Sequence, residues 1–167
     1  DGVGARQLRR GGAGRQFVYA VGGYSNGGGG ATSSVERYDP ATNAWESLAP
    51  LTTARCIHAV AVLDGKLYAA GGYSEGADYL SSVERYDPAA NAWVAVAPMA
   101  SARCSVSMAV LDGKLFAVGG EKEEVDEDED DDAGCFRLVE RYDPALDAWE
   151  AVAPMGTARV SPGVASL

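Results

Sequence analysis

The sequence predicts an all-β protein assembled from one four-stranded antiparallel unit used about three times, and three observations predict it. The phrase SSVERYDPATNAW at 33–45 returns as SSVERYDPAANAW at 81–93 and as LVERYDPALDAW at 138–149. Glycine doublets stand at 22–23, 71–72 and 119–120. Asp-Gly pairs at 64–65 and 112–113 lie between apolar runs, a strong two-residue hairpin signal because both turn positions favour positive φ. Trp45, Trp93 and Trp149 are 48 and 56 residues apart, so one loop of the last unit is lengthened by eight. A catalytic group is needed once; threefold recurrence points to scaffold.

Each unit can be taken strand by strand. CIHAVAVL at 56–63 is a first strand, and KLYAAGG at 66–72 returns as the second. SVSMAVL at 105–111 and KLFAVGG at 114–120 repeat the pair. These strands are almost continuously apolar, so both sheet faces expect cover. Gly-Gly at the end of each second strand permits positive φ or a close backbone approach where a side chain would clash. The run GGYSNGGGGATSS at 22–34 fits a flexible loop between strands two and three, with neither the Lys-Ser/Thr ending nor the helix of a phosphate loop. SSVERYD at 81–87 alternates as a third strand, Asp-Pro opens a turn, and AWVAVAP at 92–98 is the fourth. Its terminal proline lacks a ladder donor and ends it. No segment has a helical period. One buried Trp covers ~150–250 Å², more than a lone sheet can hide, so the units must stack face to face.

Composition narrows the function. Hydrophobic content of 47% and charged content of 23% are ordinary for globular chains, whereas 21 glycines and a net charge of -10 are not. Ten acidic residues and one lysine fall within 121–132, and the remainder holds 14 acidic against 13 basic residues. Such a run repels itself and is expected to be disordered; it could recruit a basic partner or loosely hold Ca²⁺, although EF-hand spacing is missing. Its charge argues against nucleic acid as a partner. No apolar run reaches the ~18–20 residues that span a bilayer, which argues against a membrane partner. No signal peptide is recognisable, and a first residue other than Met suggests an internal point of a longer product or a processed end. Cys56, Cys104 and Cys135 cannot all pair within one molecule. Cys56 and Cys104 occupy equivalent positions and are expected to be small buried or rim thiols in a reducing compartment, the cytoplasm or the nucleus.

The inventory offers little chemistry. His58 is the only histidine, so a His-based metal cluster is not available; it lies at the start of an inner strand, opposite Ser107 of the next unit, as an expected satisfied structural or rim group. Cys-x-x-Cys and nucleophile-elbow motifs are missing from the sequence. No catalytic residue, metal or cofactor is therefore assigned.

A four-stranded unit of this length carrying Gly-Gly, then Tyr, then Trp resembles the kelch repeat of β-propellers. The matching structural residues are Gly22, Gly23, Tyr38 and Trp45, then Gly71, Gly72, Tyr86 and Trp93, then Gly119, Gly120, Tyr142 and Trp149. The VERYDP…W…AP phrasing looks most like the Kelch-like proteins that carry an upstream BTB domain. The resemblance implies kelch-type blades, about three here, whereas such propellers usually have six. The expected layout is a degenerate N-terminal segment at 1–16, blade strands two to four at 17–53, and a full blade at 54–101. A third blade with an acidic loop at 121–135 spans 102–157, and a lone inner strand occupies 158–167. QLRRGGAGRQ at 7–16 replaces the apolar first strand with basic and glycine residues. Two readings stay open: a partial propeller cut from a longer protein, or half of a six-blade ring made by two copies head to tail.

What the resemblance implies about function is a partner-binding face rather than catalysis; the copper site of kelch-like galactose oxidases cannot be assembled with one histidine. Carried over by position, that face holds Arg55, Arg103 and Arg159 before each inner strand, and Tyr24, Ser25, Asn26, Tyr73 and Ser74 after the doublets. Ser105, Ser161 and Glu121, which stands where a Tyr is expected, lie near the same rim. Arginines offer bidentate recognition of an acidic peptide, and tyrosines rigid contact area. The same arginines could instead tie loop carbonyls between blades. Resemblance to BTB-kelch proteins further implies substrate-receptor work for a cullin-type ubiquitin ligase. A cytoskeletal scaffold is the second reading. A kelch-fold enzyme acting on small molecules is the third, should a central pocket collect Arg and Glu groups.

Overall fold

The computed structural model describes residues 16–25, 30–122 and 134–167, in strands and turns. Asn26, the acidic run from 123 and the segment 7–15 lie outside the described residues. The first unit contains β1 (Val18–Val21), β2 (Tyr24–Ser25), β3 (Gly30–Ala31), β4 (Val35–Asp39) and β5 (Ala44–Ser47). The second contains β6 (Ala59–Leu63), β7 (Lys66–Ala70), β8 (Tyr73–Ser74), β9 (Asp78–Tyr79), β10 (Val83–Asp87) and β11 (Ala92–Val96). The third contains β12 (Ser107–Leu111), β13 (Lys114–Val118), β14 (Val139–Asp143) and β15 (Ala148–Val152).

The predicted meanders form. Sheets run β6-β7-β10-β11 and β12-β13-β14-β15, antiparallel throughout, and the first unit shows the shorter order β1-β4-β5. The Asp-Gly turns adopt the expected conformation: Asp64 and Gly65 have φ of 50° and 72°, Asp112 and Gly113 of 50° and 70°. Across β10 and β11, Tyr86 faces Trp93 with ring centroids 5.2 Å apart, and the pair recurs as Tyr38–Trp45 and Tyr142–Trp149. Each tyrosine hydroxyl donates to the Asn or Asp two residues before its Trp, at 2.7–2.9 Å.

Burial is concentrated between sheets, as stacking requires. Val35, Leu51, Leu67, Tyr86 and Trp93 fill the space between the first and second units. Leu63, Tyr68, Val83, Met99, Leu115 and Tyr142 fill the next. The glycine doublets are what let the sheets approach. A Cβ on Gly71 would sit 2.6 Å from the Arg103 carbonyl oxygen, and one on Gly72 would sit 2.5 Å from that of Cys56. Both have positive φ.

Two expectations fail. The segment 159–167 is irregular instead of an inner strand. An inner strand takes its ladder bonds from a second strand, as β6 does from β7, and among the described residues no strand lies beside 159–167. Trp45 is half exposed rather than packed, because each indole reaches back onto the preceding unit.

Candidate functional site: the blade seams and the loop rim

The seams use the arginines that the sequence placed on a binding face. Pro50 closes the strand before it, and the linker then turns toward β6 with Arg55 held by the first unit. Its N–H donates to the Thr32 carbonyl (3.2 Å), and its carbonyl accepts the Gly23 N–H (2.8 Å). The side chain crosses to the second unit. Nη1 donates to the carbonyls of Gly71 (2.9 Å) and Ser82 (3.1 Å), and Nη2 to Ser82 Oγ (3.0 Å) and Glu84 Oε1 (2.8 Å). Glu84 in turn accepts the N–H groups of Thr52 (2.7 Å) and Thr53 (3.1 Å). Arg103 repeats this with the Gly119 and Leu138 carbonyls and Glu140, which accepts the Ala100 N–H at 2.7 Å.

Both guanidiniums are fully buried. Burial pulls their pKa values below the ordinary arginine value, and the facing carboxylates oppose that pull. They cannot meet a partner from here, so Arg55 and Arg103 are removed from the binding face, and the expected acidic partner loses its Arg-lined surface. The reason is geometric: a long fork with five donors satisfies loop carbonyls and a carboxylate at once. Arg159 alone of the three is exposed.

The rim is built differently. Cys56 and Tyr73 exchange backbone hydrogen bonds at 2.9 and 2.8 Å, and Tyr73 pairs onward with Tyr79. Cys104, Glu121 and Cys135 form the same three-residue rung in the third unit. There Glu121 Oε1 accepts Cys104 Sγ and Ser105 Oγ, each at 3.0 Å. Burial first, then Glu121, raises the Cys104 pKa. Ser74 and Ser105 are buried, while Ser25 is half-buried and Tyr24 and Ser161 are exposed. Tyr73, Tyr79 and Glu121 are partly exposed, and Glu75 and Asp78 are exposed. The expected Tyr24, Tyr73 and Glu121 therefore stand at the rim without Arg55 and Arg103, and Glu75, Asp78 and Tyr79 join them. Among the described residues Cys56, Cys104 and Cys135 form no disulfide, and Cys56 and Cys104 are buried as predicted.

Sequence reasoning missed Ile57, which is exposed with φ of 55°. Positive φ is an outlier for a β-branched residue. Ser105 and Ser161 share it at 53° and 47°. Ser105 N–H donates to the Ile57 carbonyl (2.9 Å) and Ser161 N–H to that of Ser105 (2.8 Å), a backbone chain linking the units near their axis. The equal spacing of 57 and 105 after the Arg was the available signal.

An open groove of about 310 Å³ is lined by His58, Ala59, Val60, Val106, Ser107, Met108, Pro162 and Val164. The Arg and Glu groups required by the small-molecule reading are committed to the seams instead. His58 corresponds to Val106, not Ser107, since the two occupy matching places against Gly22 and Gly71. Its ring nitrogens are buried and make no side-chain hydrogen bond among the described residues, and the Val21 backbone is the polar group that acts on them.

Repeated four-stranded sheets stacked through Trp, Gly-Gly and buried Arg–Glu pairs define a β-propeller architecture. The sequence profile described as Kelch motif matches residues 18–52, 54–100 and 102–156, and the chain belongs to the kelch-repeat family. A solved structure titled "Structure of YjhT" superposes with a TM-score of 0.70 at 19% identity, covering 84% of this chain and 49% of that one. At that identity the likeness speaks for the fold. The chain spans about half the length of that structure.

Proposed function

We propose that the protein is a non-enzymatic binding module whose rim docks a basic protein segment. The observation that supports this is the division of labour between charges: Arg55 and Arg103 are spent inside the seams, leaving Glu75, Asp78 and Glu121 beside Tyr24, Tyr73 and Tyr79 outside. Aromatic anchors with charge at the border suit protein recognition, and the acidic run beginning at Glu121 adds long-range attraction for the same kind of partner. The buried thiols of Cys56 and Cys104, which form no disulfide, suit the reducing cytoplasm or nucleus.

The test is peptide binding by fluorescence anisotropy. A Lys/Arg-rich peptide should bind, an acidic one should not, and affinity should fall as salt shortens the Debye length from roughly 20 to 8 Å. Glu75→Gln with Asp78→Asn and Glu121→Gln should weaken binding by about tenfold, roughly 1.4 kcal/mol. Removal of 123–132 should weaken it further while the blades stay folded. Preference for the acidic peptide would reverse the reading. A cullin-ligase receptor and a cytoskeletal scaffold would both use this rim; co-capture with a cullin supports the first, and co-sedimentation with filaments the second.

A further inference from the structure

Every seam is made by one set of residues on its leading side and another on its trailing side. Arg103 meets Glu140, the Trp149 indole N–H donates to the Ala97 carbonyl (2.8 Å), and the Ala97 N–H donates to Asp147 Oδ1 (2.9 Å). Arg55, Glu84, Trp93, Ala49 and Asn91 make the same bonds one unit earlier. By repeat position the leading set of the next seam is Arg159, Ala153 and Gly156. The trailing set of the preceding one is Glu36, Asn43 and Trp45. All six are exposed, and among the described residues none makes the cross-seam bond that its counterparts make. Arg159 is nevertheless already set like the others: its N–H donates to the Phe136 carbonyl (3.2 Å), and its carbonyl accepts the Gly120 N–H (2.9 Å).

We propose that a second copy of this chain mates the two edges. Arg159 of one copy enters the cradle of the Gly22 carbonyl, Ser34 and Glu36 of the other. The indole of Trp45 donates to the Ala153 carbonyl, and Asn43 accepts the Ala153 N–H. Residues 163–167 add to β1 in the register β6 takes on β7, which sets Gly163 opposite Val21 and Leu167 opposite Phe17. This strand addition supplies the ladder that 159–167 lacks. The charges are complementary, cation on one edge and carboxylate on the other. A twofold rotation makes both new seams identical and closes the ring.

Sedimentation equilibrium on the 167-residue chain should give twice its 17.3 kDa mass. Arg159→Ala and Trp45→Ala should each raise the dissociation constant about tenfold or more, with the β circular dichroism unchanged. Arg159→Glu and Glu36→Arg should each prevent pairing alone, and their equimolar mixture should recover the two-chain mass, because each seam of the mixed pair again joins opposite charges. A folded single-chain mass at every concentration overturns the proposal. So does a two-chain mass indifferent to both alanine variants, or open polymers that lengthen with concentration. The rim reading stands apart: a single copy that still binds the basic peptide removes the pairing alone.

Discussion

Trp93 and Trp45 hold the same place in the repeat, each stacked on a tyrosine across the strand, yet 9% of one and 50% of the other is exposed. Trp93 also donates to the Ala49 carbonyl at 3.0 Å. Arg103 and Arg159 differ in the same way, one sealed and one open. Both members of each pair hold the same repeat position, and the neighbouring sheet makes the difference. The signature residues of this repeat are halves of a contact between blades, and a blade alone leaves them wet.

Arginine replacement should separate the two surroundings most. Arg103→Ala strands the Glu140 carboxylate in a buried site and should cost roughly 3–5 kcal/mol, read as a fall in urea midpoint. Arg159→Ala, at dilutions where one copy stands alone, should change stability by less than about 0.5 kcal/mol. Equal midpoints for the two variants would break the comparison. Trp follows. Trp93→Ala should cost about 3–5 kcal/mol, and Trp45→Ala under about 1 kcal/mol at the same dilution, with the red-edge emission of the native protein disappearing only in the second.

Glycine sharpens the comparison at smaller scale. Gly71 and Gly65 have similar φ, 67° and 72°, so an alanine at either pays the left-handed penalty of roughly 1–2 kcal/mol. Only at Gly71 does the new Cβ press on a carbonyl of the adjoining unit, whereas nothing stands within 4 Å of it at Gly65. Gly71→Ala should therefore be the more destabilising by about 1–3 kcal/mol. Comparable melting curves would mean that the seam yields.

The strands and hairpins were legible because periodicity, Asp-Gly and proline act locally. The function of the arginines was not. Arg55 and Arg103 look identical to a solvent-facing ring when read along the chain, and only the third dimension reveals that Gly71 O, Ser82 and Glu84 converge on one guanidinium. Glu84 and Glu140 sit in the repeated VERYDP phrase, alternating with Val and Arg, so nothing local marks them as buried. Their recurrence in register with the arginines was the signal available. The rim hairpins β2–β3 and β8–β9 escaped notice because each of their strands has two residues, too few for any period to show.

The two seams also differ from each other in their response to pH. His58 sits against Gly22 and Gly72 at the first seam, where the second seam has Val106 against Gly71. Burial first, then the Arg55 cation, lowers its pKa to about 4, with the Val21 backbone and then the Glu84 carboxylate opposing. In the unfolded chain the same imidazole titrates near 6.5. Between those values the unfolded state binds the extra proton, so stability must rise with pH there. The contribution of neutral His58 is thus fully present above about pH 6.5 and is lost as pH falls toward the folded value. His58→Val, which copies the second seam into the first, should keep Tm level across that interval where the native protein declines. Below it both should fall together, as Asp87, Asp143 and Asp147, all held at lowered pKa by their hydrogen bonds, take up protons. Parallel Tm curves for the two proteins between pH 4 and 6.5 would show that the imidazole is solvated and that the first seam is no more acid-sensitive than the second.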